Sequence, residues 1–319
     1  MYLRGVFVKM TENIKITDMH CDTIVKCKRE NQNLFKNNIH IDLERMKNTV
    51  STETFAIWLE KEYYSDAYNE TCRCIDFYNA EINKNSNIIS HINTYNDIIK
   101  NRKNNIISSI LSIEGGEAIE GSLEKLEDFY EKGVRLMTLT WNYKNHIGCG
   151  AFYGDENLTD FGKNVVKHMN KKGMIVDVSH LCDKGFYDVL RISDKPFIAS
   201  HSNSRTICNS KRNLTDEQII ELKNIGGVMG INLYSNFVSE KEHCNIDDVM
   251  RHIDHIINIA GDDIIGFGCD YDGIESAPEG LLEVSCISKI VTEIYKRYGK
   301  ETAEKIAFKN FDRIFSQIL

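Results

Sequence analysis

A chain of 319 residues can hold one large barrel or two smaller domains. Hydrophobic residues make up 42% and charged residues 27%, the balance of a globular protein rather than a disordered or fibrous one. The net charge of −8 argues against a nucleic-acid partner, which leaves a basic stripe on the protein; Lys171-Lys172 and Lys211-Arg212 are isolated pairs.

In chain order, β-branched and apolar runs at 15–21, 54–59, 106–114, 134–140, 174–180, 195–201, 227–233 and 264–270 read as strands. Amphipathic stretches separate them. The segment 60–105 is long and includes a helix over 68–85. A helix over 122–133 stops on Gly133, and one over 160–173 stops on Gly173 after two lysines, a helix-ending pattern. In the helix over 214–227, Thr215 and Gln218 have the spacing of a capping box. Eight strands alternating with helices predict a closed (β/α)₈ barrel. A doubly wound sheet is the alternative, weakened because no Gly-x-Gly-x-x-Gly follows the first strand. With only Pro196 and Pro278 as prolines and no Ser/Gly-rich linker, residues 15–319 read as one domain. Residues 1–14 read as an N-terminal extension, within which Met10 offers an alternative start.

On a barrel of this kind the active site forms where the strands end. The first strand ends in His20-Cys21-Asp22, and strand alternation puts His20 and Asp22 on one side. Glu114, His180, His201 and Asp270 end the third, fifth, sixth and eighth strands. Each alone has an ordinary explanation, a core histidine or a turn aspartate. Asp177 is such a case, read as support for the barrel rim. Jointly they would crowd uncompensated charge into one cavity, a cost that a bound cation removes.

Imidazole and carboxylate donors without thiolate suit Zn²⁺ in an open catalytic site. Five donors exceed one tetrahedral ion, so two zinc ions sharing Glu114 are expected. His20, Asp22 and Glu114 would hold the first; Glu114, His180 and His201 the second.

DMHCDT (18–23), SIEGGEAI (112–119), VDVSH (176–180), ASHSNSR (199–205), RNLTDEQI (212–219) and GFGCDYDG (266–273) resemble, in order, the renal or membrane dipeptidases, a peptidase family among the amidohydrolase-like barrels. The likeness runs from about residue 16 to residue 316. It implies dipeptide hydrolysis at a two-zinc site built from the same five ligands. It also implies that Arg212 binds the substrate's terminal carboxylate and that Asp270 handles protons, with Glu114 in the catalytic centre. A guanidinium suits a carboxylate fork to fork, in keeping with that role.

One departure matters. Mammalian members carry a His after Leu-Thr at the fourth strand end, whereas LTWNYKNHIGCG (139–150) has Trp141 there. Trp141 is therefore a candidate for substrate binding, as is His146 five residues on. His40, His91, His168, His243, His252 and His255 read as structural or surface residues.

No apolar run approaches the roughly 18–20 residues that cross a bilayer. The first ten residues, broken by Arg4 and Lys9, do not read as a secretion signal. The cytoplasm is the expected compartment. The ten cysteines are then expected as free thiols; only Cys72 and Cys74 are close-spaced, without the second pair that a zinc knuckle needs. The expected partner is a small dipeptide, with no nucleic acid and no membrane, and a homodimer is compatible with the sequence. Two rivals remain: another barrel hydrolase acting on lactones or cyclic amides, disfavoured by His-x-Asp in place of His-x-His, and a non-catalytic barrel that only binds.

Overall fold

A computed structural model describes Thr11 and residues 14–319. The alternative start at Met10 and most of the expected extension over 1–14 lie outside the described residues.

Nine strands occur among those described: β1 (Thr17–Cys21), β2 (Thr52–Trp58), β3 (Ile89–His91), β4 (Ile107–Glu114), β5 (Val134–Thr138), β6 (Ile175–Asp177), β7 (Ile198–Ala199), β8 (Val228–Ile231) and β9 (Ile265–Phe267). All pairings between them are parallel. The strand order is β2-β1-β9-β8-β7-β6-β5-β4-β3, and β2 also pairs with β4. That extra pairing closes eight strands into a barrel. The (β/α)₈ expectation therefore holds. The ninth strand, β3, is short and pairs only with Ile107–Ser109 of β4, ahead of the stretch that pairs with β5.

Two apolar layers hold the barrel. One cluster takes a residue from each of six strands: Met19, Ile110, Leu136, Ile175, Ile198 and Val228. A ring contributed strand by strand is a barrel interior, filled as such barrels require. Phe311, Ile314 and Phe315 of the C-terminal helix (Asn310–Ile318) belong to the same cluster. A larger cluster lies between strands and helices, from Phe55 and Ile57 on β2 to Val165, Val166 and Met169 on the helix Asp160–Lys172.

Local signals read in the sequence recur. Thr215 and Gln218 bond each other's backbone N–H reciprocally at the start of the helix Asp216–Asn224. Gly133 and Gly173 take positive φ after their helices, the conformation that favours glycine.

Several strands are shorter than expected. β6 stops at Asp177 and β7 at Ala199, and β9 stops at Phe267. His180 and Asp270 therefore lie three residues beyond their strands, with left-handed backbone at φ 67° and 62°. Non-glycine residues in that region are costly and cluster at functional sites. The ten cysteines are all unpaired. Among the described residues, no helix is long and apolar enough to cross a membrane.

Candidate metal centre and substrate cavity

The first strand does not simply alternate. Asp18 pairs with Glu53 and Cys21 with Phe55, so Met19 and His20 together oppose the single residue Thr54. This is a β-bulge, which re-aims a side chain. Met19 joins the interior cluster and His20, one position later, is fully buried in the acidic group above it. Asp22 follows the strand, its N–H bonded to the carbonyl of Tyr271.

Glu114, at the end of β4, lies at the middle of the group. Its Oε2 is 3.4 Å from His20 Nε2, while its Oε1 is 2.9 Å from His180 Nε2 and 3.4 Å from His201 Nε2. One carboxylate oxygen thus faces one histidine and the other faces two. His20 Nε2 is also 3.7 Å from Asp22 Oδ2 and 3.8 Å from Asp270 Oδ1. Two sets have ligand atoms within 4.8 Å of one another: His20, Glu114 and His201, and His20, Asp22 and Asp270.

The histidines are oriented from behind. The Asn142 Oδ1 lies 2.9 Å from His180 Nδ1, which donates to it. Ser200 Oγ donates to Asp177 Oδ2 at 2.6 Å and lies 2.7 Å from His201 Nδ1, from which it accepts. With both Nδ1 atoms acting as donors, the lone pairs of both Nε2 atoms point at the carboxylate of Glu114. Lone pair against carboxylate is repulsive unless a cation or proton stands between them. Buried His20 Nε2, His201 Nε2 and Asp22 Oδ1 have no hydrogen-bond partner in the protein. Orphaned buried polar atoms of this kind call for an ion or water. The donor set therefore fits a divalent cation of the zinc type.

The metal-free electrostatics agree. Burial and the charge of Glu114 raise Asp22 to about 6. Burial raises Asp270 to about 8, with Asp22 and Glu114 adding to it against the opposing pull of His20. Burial alone would depress His20, but Glu114 and Asp22 outweigh it and lift the imidazole well above its usual value. His180 falls to about 4 through burial and the charge of Arg212. So many shifted ionisable groups in one cavity mark a functional site.

Asp270 is held by Asn232, whose Nδ2 donates to Oδ2 at 2.9 Å. Asn232 is itself fixed, accepting from Tyr234 N–H and paired with Asn203 through backbone and side chain. Gly273 packs so closely that a Cβ there would stand 2.1 Å from Asp22 Oδ2 and 2.6 Å from Asp270 Oδ1. Asp272 accepts from Thr23 Oγ1 and the His40 N–H, so it braces the loop. His40, read from sequence as an ordinary histidine, completes that brace by accepting from the Asp272 N–H.

A cavity of about 1200 Å³ opens above the centre, with Asp22, Glu114, His180 and Asp270 on its wall. Trp141 also lines it, 4.9 Å from Trp58. His146 does not: it is exposed, its ring lies beside Gly121, and the cavity wall does not include it. In that loop it is Asn142, next to Trp141, that touches a candidate ligand. Arg212 is 3% exposed and lies just behind the wall. Phe237 covers its guanidinium at 5.5 Å, and its Nε has no partner.

Sequence reading missed Asn142, Asn232 and Ser200. Asn232 is the last polar residue of the predicted strand over 227–233, and counting amides along with acids and histidines near strand ends would have found it.

Comparison with known proteins adds a family. The family described as membrane dipeptidase, peptidase family M19, matches residues 6–319. An uncharacterised dipeptidase of Schizosaccharomyces pombe is 30% identical over 319 residues, covering 91% of this chain and 77% of the relative. Dipeptidase 3 of Mus musculus is 33% identical over 220 residues, 66% of this chain and 45% of the mouse protein. Among solved structures, a family M19 dipeptidase superposes with a TM-score of 0.90 at 26% identity, covering 96% of this chain and 99% of that one. A metallopeptidase from Rhodobacter sphaeroides, liganded with a phosphinate mimic of the dipeptide L-Ala-D-Ala, matches with a TM-score of 0.90 at 25% identity and the same coverage.

Proposed function

The chain belongs to the membrane dipeptidase family and is a metal-dependent dipeptide hydrolase, and from that premise we propose a two-zinc centre that cleaves dipeptides with both termini free. The observation that carries the two-ion reading is Glu114, whose two oxygens face His20 on one side and His180 with His201 on the other. His20, Asp22 and Glu114 would hold one ion; Glu114, His180 and His201 would hold the other. Zinc bound there would supply Lewis acidity, which lowers the pKa of water to about 7 and polarises a carbonyl.

The chain's own groups do the rest. Asp270, held by Asn232, takes the proton of the attacking water and returns it to the leaving nitrogen. Arg212 binds the substrate's carboxylate, which supplies the partner that its buried Nε lacks. Trp141 and Trp58 form part of the wall against which the substrate lies. A pocket that engages both termini measures length, so dipeptides are favoured over longer peptides. Unpaired cysteines support a reducing compartment, the cytoplasm.

Two measurements test this. Metal analysis of the purified protein is expected to find two zinc ions per chain, with both lost in Glu114→Ala; one tightly held ion, unaffected by that substitution, overturns the two-ion centre. C-terminally amidated dipeptides and tripeptides, whose carboxylate lies about 3.3–3.6 Å farther along the chain, are expected to be poor substrates. Equal cleavage of these and of free dipeptides removes the length-measuring pocket.

A further inference from the structure

Of the seven exposed large hydrophobic side chains among the described residues, only Phe152 lines the cavity, with 52% of its surface exposed. Its position is fixed from the metal centre itself. Phe152 sits in a turn between Gly150 and Gly154, closed by the Gly154 N–H donating to the Gly150 carbonyl. That turn is tied to the segment of His180: Ala151 N–H donates to the His180 carbonyl at 2.7 Å, and Cys182 N–H donates to the Cys149 carbonyl. The ring is therefore held over the mouth by the same segment that carries a candidate metal ligand.

It meets one aromatic partner, Phe237, at 6.4 Å between ring centres. Phe237 comes from a different strand end, the segment after β8. It packs edge-on against Tyr234 at 4.9 Å and covers the guanidinium of Arg212. The three aromatic rings stand together on the Arg212 side of the cavity. Elsewhere on the wall Arg29 lies over Trp58 at 4.9 Å and pairs with Glu60 at 2.7 Å, beside Lys26 and Glu30. The rings of Phe152, Tyr234 and Phe237 thus form an aromatic cluster beside the buried Arg212, on a wall that also carries Ser210, Lys211 and Asn236.

We propose that Phe152 and Phe237 form an apolar clamp for the side chain of the residue that carries the substrate's free carboxylate. This makes Phe152 a specificity-determining residue that favours apolar over small side chains at that position. The inference rests on the reading of Arg212 as the carboxylate anchor. A carboxylate held at Arg212 places the Cα of its own residue next to Phe237, and the adjoining side chain then removes the exposed face of Phe152 from water. Burial of apolar surface on both partners is the source of the preference.

The test compares kcat/KM for Ala-Leu, its isomer Leu-Ala and the reference Ala-Ala, in the parent protein and in Phe152→Ala and Phe152→Leu. The expected result is a roughly tenfold fall in the Ala-Leu to Ala-Ala ratio in Phe152→Ala, the usual scale for losing apolar contact with a substrate side chain. The Leu-Ala to Ala-Ala ratio stays unchanged, and Phe152→Leu recovers most of the lost ratio. Ratios are independent of any general loss from poorer folding. An unchanged Ala-Leu ratio in an enzyme that still cleaves Ala-Ala overturns the clamp and leaves the dipeptidase reading intact. A fall confined to Leu-Ala overturns its placement at the carboxylate end. A parent protein that cleaves none of the three removes the dipeptidase reading, and the clamp with it.

Discussion

Asp270 combines three unusual properties in one residue: left-handed backbone, an acid largely buried among other acids, and one oxygen held by Asn232 while the other faces His20. That arrangement suits a group that must hold and release a proton. Asp270→Asn is expected to keep the bound metal and to lower kcat by about 10²–10⁴-fold, the range for losing a general acid–base. Near-normal turnover in Asp270→Asn, with loss in Asp272→Asn, would show that the wrong carboxylate carries the proton. Ser200 acts at one remove. Its hydroxyl links Asp177 to His201 Nδ1 and so fixes which nitrogen of that ring faces Glu114. Ser200→Ala leaves the His201 Nδ1 without its acceptor, and metal affinity is expected to fall by about 10–100-fold. Competition with a chelator measures this directly; unaltered affinity means that packing alone orients the ring.

At the level of elements, the site depends on where strands stop being regular. The bulge in β1 lets adjacent residues serve different layers, Met19 the barrel interior and His20 the acidic centre. The loop after β9 returns through Gly273 to within touching distance of Asp22 and Asp270. Gly273→Ala adds a Cβ that overlaps an oxygen of each acid, so one or both must move. A destabilisation of about 1–3 kcal/mol is expected from the overpacking. Metal content should fall as well, because Asp22 shares that space with His20. Denaturant unfolding together with metal analysis checks this; a variant with parental stability and parental metal content would show that the loop yields freely.

Over the whole molecule, binding of cations to folded protein alone adds stability by mass action. Chelation is therefore expected to lower the melting temperature and to expose a pH dependence that the ions otherwise mask. Asp22 and Asp270 have folded values of about 6 and about 8, above their unfolded value of 3.8. The folded state then binds more protons than the unfolded state, and stability falls as pH rises through those values. His20, also raised, contributes in the same direction. His180, lowered to about 4, acts oppositely, but only below the ordinary histidine value of 6.5. Between pH 6.5 and about 8 the raised groups stand unopposed by it, and the chelated protein should lose several degrees of melting temperature. The metal-loaded protein should change much less, since the ions take the place of the protons. Equal slopes for the two forms would mean that these acids are not the ones neutralised by metal.

The sequence by itself determined the barrel and the chemical types at its rim. Alternation of short apolar runs with amphipathic stretches is a local pattern, and eight such units have few ways to bury both faces of their strands. The polar residues that end those runs were legible for the same reason: His20, Glu114, His180, His201 and Asp270 break an apolar pattern. β3 stayed hidden because three residues carry no usable period. Tertiary structure alone decided which polar groups meet. The bulge that turns His20 inward arises from pairing with β2, and the left-handed turns at His180 and Asp270 follow strands that end early. His146 shows the limit from the other side, being near in sequence to Trp141 yet outside the cavity. Asn142, Ser200 and Asn232 matter only through the atoms they touch. Hydrogen bonds between loops from different strands depend on distances that closure of the barrel sets, and no spacing along the chain records them.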